Sequence, residues 1–161
     1  MSVEIEPSDG ALWKAVVQAE GRFIAARMAF LANAEDRVGV LRGALHTAAQ
    51  RGTALRLLPY CQPAERQELF GVLLRLSSVG HRDVLLCREA ILSLPRGWVL
   101  DRIESAAEEL LSDGGEEEYR RLLELYAELD AGLTRRLAER AARHPDQEVR
   151  EAGADFLRRL P

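Results

Sequence analysis

At 161 residues, with 47% hydrophobic and 30% charged side chains, the chain has the size and composition of one soluble domain with a sizeable core, which excludes a disordered or membrane-embedded class. Against 22 basic residues stand 26 acidic ones, and the net charge of −4 argues against nucleic acid as the main partner, because phosphate binding normally shows as a basic excess. Leu, Ala, Arg and Glu dominate while aromatics make up only 6%, so an all-helical chain is expected.

Lys14 is the only lysine. Two readings of the arginine bias stay open: the codon usage of a GC-rich bacterial genome, or selection for planar, bidentate contacts to carboxylates. Cys61 and Cys87 lie far apart without a CxxC or a zinc-type histidine spacing, and are read as small core residues. The N-terminal MSVEIEP lacks the basic and apolar regions of a signal peptide, and no apolar run reaches the roughly 18 residues of a membrane span. A cytoplasmic location without membrane or cofactor is the expectation.

In chain order, residues 1–7 read as a flexible lead-in and Ser8 or Asp9 as the cap of a first helix. Leu12, Trp13, Val16, Val17, Ile24, Met28 and Leu31 carry its stripe, and Gly21 either bends one long helix or joins two. Trp13 is expected in the core because its stripe partners are apolar. Asp36 caps the next helix, with Val38, Leu41, Leu45 and Ala48 on one face and Gly52 as its stop, before a short helix from Thr53 to Leu58. Between Pro59 and Pro63 lies a turn. Ala64 to Val79 reads as one helix, apolar over more than half its circumference and so covered on two sides.

Arg82 to Gly115 reads as a complete helix, turn, helix unit. Its first helix, about Arg82 to Leu94, sets Val84, Cys87, Ile91 and Leu94 inward with Leu85, Leu86 and Leu92 widening the stripe. After Pro95 the second helix buries Val99, Ile103, Ala106, Leu110 and Trp98 and points Asp101, Glu104, Glu108 and Glu109 outward, until Asp113, Gly114 and Gly115 end it. Glu116, Glu117 and Glu118 suit a helix N-terminus. That helix carries Tyr119, Leu122, Leu123, Tyr126 and Leu129, its partner carries Leu133, Leu137, Ala138 and Ala141 with Arg135, Arg136, Arg140 and Arg143 outward, and a last helix sets Val149, Ala152, Gly153, Phe156, Leu157 and Leu160 on one face.

Parts of this unit recur. ALRLLP at Ala54 to Pro59 returns as AILSLP at Ala90 to Pro95, an offset of 36, and Arg88, Glu89, Ala90 return as Arg150, Glu151, Ala152. A period in this range marks helical repeat arrays. Pro145, Asp146, Val149, Arg150, Ala152 and Leu157 then resemble the first helix of a HEAT repeat, with Gly153 where that family usually has alanine; Asp83, Arg88, Ala90 and Leu94 match more weakly. The resemblance implies an α-α superhelix of antiparallel helix pairs, a HEAT-like solenoid of about 8–9 helices. The expected organisation is a segment 1–7 followed by one helical-repeat domain 8–161, irregular over 8–60 and clearer over 61–161. In such a stack the second helices lie side by side, so Asp101, Glu104 or Glu108 should pair with Arg135, Arg136 or Arg140.

No catalytic signature appears. His46, His81 and His144 fit no metal pattern and read as surface or turn residues; Ser77 and Ser78 near His81 lack a nucleophile elbow; no phosphate loop is present. The leading expectation is therefore a non-catalytic scaffold that binds a protein partner or neighbouring domain, with a regulatory or sensor segment of a larger protein as a further reading. Its candidate residues are Trp98, Arg102, Glu104, Glu108, Arg135, Arg136, Arg140 and Arg143. The alternatives, implied by the resemblance, are a DNA-glycosylase-like protein, for which Arg66, Arg75, Arg102, Arg136 and Arg143 would form a basic stripe, and a chromophore-lyase-like protein. A last helix without a partner would leave an apolar face, which a homodimer through the C-terminal helix would cover.

Overall fold

A computed structural model describes residues 8–160, and the expected lead-in at residues 1–7 lies outside them. The described residues hold ten α-helices, one 3-10 turn and no strand, one or two helices more than expected. They divide into two compact units, one ending at Arg37 and the other beginning at Val38.

The first unit is dominated by α1 (Asp9–Asn33), a single helix of 25 residues that runs through Gly21 without a joint. Ser8 starts it by accepting a hydrogen bond from the Ala11 N–H at 3.4 Å. At its end the Asn33 side chain donates to the Ala29 carbonyl at 2.8 Å and Arg37 donates to that of Leu31 at 2.8 Å. None of its residues is buried, and Trp13 is 68% exposed, which corrects the core placement expected for that residue.

The second unit comprises α2 (Arg37–His46) apart from its first residue, α3 (Ala48–Leu57), a 3-10 turn at Leu58–Tyr60, α4 (Pro63–Glu68), α5 (Phe70–Ser77), α6 (Val84–Leu92), α7 (Arg96–Ser112), α8 (Glu116–Leu129), α9 (Ala131–Ala142) and α10 (Gln147–Arg159). Its centre is α8, where Tyr119, Leu122, Leu123, Leu125, Tyr126 and Leu129 are buried against α5, α7, α9 and α10. The recurrent ALRLLP and AILSLP segments place equivalent residues in the core: Leu55 with Ile91, and Leu58 with Leu94. A second recurrence links His81-Arg82-Asp83 to His144-Pro145-Asp146. In both, the aspartate N–H donates to the histidine Nδ1 at 3.1 Å just ahead of a helix, α6 or α10, so both rings build turns.

Several hydrogen bonds between distant segments span 32–37 residues, beside others that span 23–27. Arg82 reaches the Ala48 carbonyl (34 residues), Arg75 reaches Glu109 (34), the Gly80 N–H reaches Glu117 (37), Arg96 reaches the Leu129 carbonyl (33) and Arg136 reaches Glu104 (32). Arginine does most of this work, and it also closes helix ends: Arg37, Arg51 and Arg150 each donate to a carbonyl six residues back, those of Leu31, Leu45 and His144. These are orphan C-terminal carbonyls that a long forked donor can reach.

Several boundaries and faces differ from expectation. Gly52 does not stop α2; the chain turns at Thr47, extended at φ −98° and ψ 112°, and Gly52 sits buried inside α3. There a Cβ would stand 3.3 Å from Asp83 Oδ1 and 3.4 Å from an Arg56 nitrogen, so this glycine serves close approach. The helix expected over 64–79 breaks at Leu69, where the Leu69 N–H donates to Arg66 and a tight turn separates α4 from α5. On α6 Leu85 is 64% exposed, and Arg88 takes the interior place. The stripe of α7 is rotated by about one residue: Val99, Ile103, Ala107 and Leu111 are buried, whereas Trp98, Ala106 and Leu110 are half-buried. On α10 Val149, Ala152, Gly153 and Phe156 are buried where the helix packs on α8 and α9, while Leu157 and Leu160 are half-buried.

Candidate functional site

The candidate residues fall on α7 and α9. Pro95 precedes α7, and Arg96 ties its first turn to the α8–α9 junction, donating to the Leu129 carbonyl from Nε at 3.1 Å and Nη2 at 2.9 Å and to Asp130 at 3.1 Å. Asp130 in turn caps α9 by accepting from the Leu133 N–H at 2.9 Å. That backbone hydrogen bond, with Arg96 nearby, holds the Asp130 carboxyl below its ordinary range. With the start of each helix pinned in this way, the charged faces of α7 and α9 come into register.

Two of the expected pairs form. Arg136 donates from Nε and Nη2 to both oxygens of Glu104, each at 2.9 Å, and Arg140 donates from its two terminal nitrogens to Glu108 at 2.6 and 2.9 Å. Their offset is 32 residues in both cases. A third bond, Arg75 to Glu109 at 3.4 Å, joins α5 to α7. Asp101 makes none of these pairs, and Arg135 and Arg143 are exposed. Hydrogen bonds from Arg136 and Arg140 lower the pKa values of Glu104 and Glu108. The pairs are exposed to solvent, which screens their attraction, so they act chiefly to set register.

Under the ion pairs lies a small cavity of about 110 Å³ whose floor includes Tyr126. The Tyr126 hydroxyl donates to the Ile103 carbonyl at 3.4 Å, and burial, followed by the charge of Glu104, raises its pKa. Trp98 stands at the other end of α7. Its ring meets Phe70 edge to face at 5.3 Å between centroids and 82° between planes, while the Arg102 guanidinium lies 4.6 Å above it. One side of the indole is thus anchored in the core and the other carries a cation.

Two clefts flank the paired charges. One of about 390 Å³ is formed by Leu111 and Ser112 of α7, Tyr119 of α8, and Arg140, Arg143, His144 and Pro145 around the end of α9. The other, about 350 Å³, lies among α2, α4, α5 and α7 and includes Arg42, His46, Glu68, Arg75 and Glu109. Neither was read from the sequence, because each draws residues from three or four helices. Also missed was a partly buried charge cluster between α6 and α8: Arg88 donates to Glu124 at 2.5 Å and to the Arg121 carbonyl at 3.2 Å, and Arg121 donates to Glu124 at 3.2 Å. Its signal was available. Arg88 lies four residues after Val84 and three before Ile91, on the apolar stripe of its helix.

Neither cysteine is in a disulfide, and the Cys61 thiol donates to the Leu57 carbonyl at 3.7 Å. Cys61 and Cys87 are both buried, and burial, reinforced by Asp83 against the opposing influence of Arg51, pushes the Cys87 thiol up to about 11. Among the described residues no group of three His, Cys, Asp or Glu is placed to hold a metal ion, and no helix is long and apolar enough to cross a membrane. No family model matches the chain, and searches of curated proteins and of solved structures find no match either.

Proposed function

We propose that this chain is a non-catalytic helical-repeat scaffold of HEAT-like type, working in the cytoplasm, that binds a protein partner or a neighbouring domain through the α7–α9 face. The observation that carries the reading is the bidentate pairing of Glu104 with Arg136 and Glu108 with Arg140 at the same offset of 32 residues, as expected where equivalent helices of successive units lie side by side. The recurrence of His-x-Asp turns and of bonds spanning 32–37 residues supports the same repeat.

Four of the eight candidate side chains are then committed to register rather than to a partner. The contact residues narrow to the Trp98 and Arg102 end of α7 and the Arg143 cleft at the end of α9. Tryptophan and arginine are the residue types that dominate binding hot spots. A phosphate-binding stripe gains no support, because Arg75 and Arg136 are each matched by a carboxylate.

Affinity capture on the tagged full chain from the cells that make it tests the reading. The double variant Arg102→Glu, Arg143→Glu should retain the native circular dichroism and lose the captured protein, with binding weakened about tenfold or more. Undiminished capture by that variant would move the contact surface elsewhere.

A further inference from the structure

The helix α1 is anomalous for its length. Its 25 residues extend about 37 Å. Helices normally draw most of their stability from packing an apolar face, yet no residue of this one is buried. Seven large apolar side chains are exposed, from 39% for Ile24 to 68% for Trp13. Lys14, Glu20, Arg22 and Arg27 interrupt the segment, and it does not meet the requirements of a membrane span.

Its apolar residues follow a sevenfold pattern. The pairs Val16-Val17, Phe23-Ile24 and Phe30-Leu31 recur every seven residues, and Trp13, Glu20 and Arg27 recur every seven residues between them. A heptad spacing of this kind, here from residue 13 to 31, gathers the apolar residues into a seam that a second helix can cover. Two positions of the seam hold opposite charges, Glu20 and Arg27. A parallel pairing would set Glu20 against Glu20 and Arg27 against Arg27. An antiparallel pairing about the helix middle sets Trp13 of one copy beside Phe30 and Leu31 of the other, and brings Glu20 of each within about one turn of Arg27 in the other.

We propose that α1 is a dimerisation helix that forms an antiparallel coiled coil with α1 of a second copy of this chain. A two-fold axis makes such an interface self-complementary, and here the midpoint of the Glu20 and Arg27 charges lies within about half a turn of the apolar midpoint near residue 22. The area is sufficient. Trp13 and Phe23 each have on the order of 100 Å² left to bury. With the five other exposed side chains the total reaches on the order of 500 Å² per copy, or about 1,000 Å² per pair, the size at which an interface becomes specific. The surface is distinct from the α7–α9 face and does not depend on the function proposed for that face.

Sedimentation equilibrium on the full chain, across micromolar concentrations, should give twice the 18.0 kDa chain mass. Phe23→Glu should return the chain to a monomer while the thermal transition of the second unit stays in place. The single exchanges Glu20→Arg and Arg27→Glu should each weaken the dimer about tenfold or more, and the two together should restore it. Orientation is read from disulfide formation: chains carrying Gly10→Cys should cross-link to chains carrying Asn33→Cys and not to one another. A monomer at every concentration would overturn the proposal, whether α1 packs on its own chain or takes up phospholipid vesicles instead. So would a dimer indifferent to Phe23→Glu, or one that cross-links Gly10→Cys to itself.

Discussion

Replacing Glu124 with alanine should lower the unfolding free energy by about 3 kcal/mol at neutral pH, seen as a shift of the urea midpoint with an unchanged slope. The Arg88 side chain is 8% exposed, and Glu124 is its only carboxylate partner among the described residues. Without Glu124 the guanidinium stays buried with the Arg121 carbonyl alone, and its Nε already lacks an acceptor. The reverse change is milder. In Arg88→Met an apolar side chain of similar length fills the space, and Glu124, 31% exposed, keeps its bond to Arg121. The cost there should stay near 1 kcal/mol, since removing a buried charge is less damaging than stranding one.

The same pair has a pH signature. Burial works to raise the Glu124 pKa, but hydrogen bonds from Arg88 and Arg121 outweigh it and hold the carboxyl below the usual carboxylate range. A carboxyl depressed in the folded state stabilises fully above its unfolded pKa, and that contribution disappears as pH falls through the folded value. The difference between the native chain and Glu124→Gln should therefore be largest at neutral pH and shrink below about pH 4. Glu104, Glu108 and Asp130 shift in the same direction, so acid should weaken the α7–α9 register as well.

Gly153→Val should separate α10 from α9. A Cβ at residue 153 would stand 2.6 Å from the Ala138 carbonyl oxygen, 2.6 Å from the Ala142 nitrogen and 2.8 Å from the Ala141 Cβ, and two of these atoms are backbone that no rotamer change can move. Even Gly153→Ala should cost more than the roughly 1 kcal/mol that alanine gains over glycine in a helix, for a net loss of about 2 kcal/mol, with valine worse. Gly43→Ala is the control of opposite sign. It lies within α2 with nothing within 4 Å of its would-be Cβ, and should stabilise by up to about 1 kcal/mol. Thermal melts of the three variants separate close packing from propensity. The close approach of the α9 backbone is the physical reason for glycine at residue 153.

What could be read in advance follows from which signals are local. The ends of α7, α8, α9 and α10 were legible because Pro95, Asp113-Gly114-Gly115, Asp130 and Asp146 act on the backbone next to them. The Glu104–Arg136 and Glu108–Arg140 pairs were legible for another reason: an acidic face on one helix and a basic face on another can be matched by spacing alone. Gly52 failed because glycine marks a helix stop and a close contact alike, and only the position of Asp83 distinguishes them. Leu69 failed because its break leaves a residue in ordinary helical space, with no glycine or proline to mark it. For α1 the heptad was present in the sequence, but periodicity describes an apolar face and says nothing of what covers it. The Arg88–Glu124 cluster was lost to the assumption that charge means exposure, which fails where a partner helix brings the opposite charge.

If α7 and α9 together form the proposed partner-binding face, amide hydrogen exchange on the full chain with and without the captured partner should slow in Arg96–Ser112 and Ala131–Ala142, most strongly near Trp98 and around Arg143. Protection confined to other helices, with α7 and α9 exchanging as in the free chain, would place the partner on a different face.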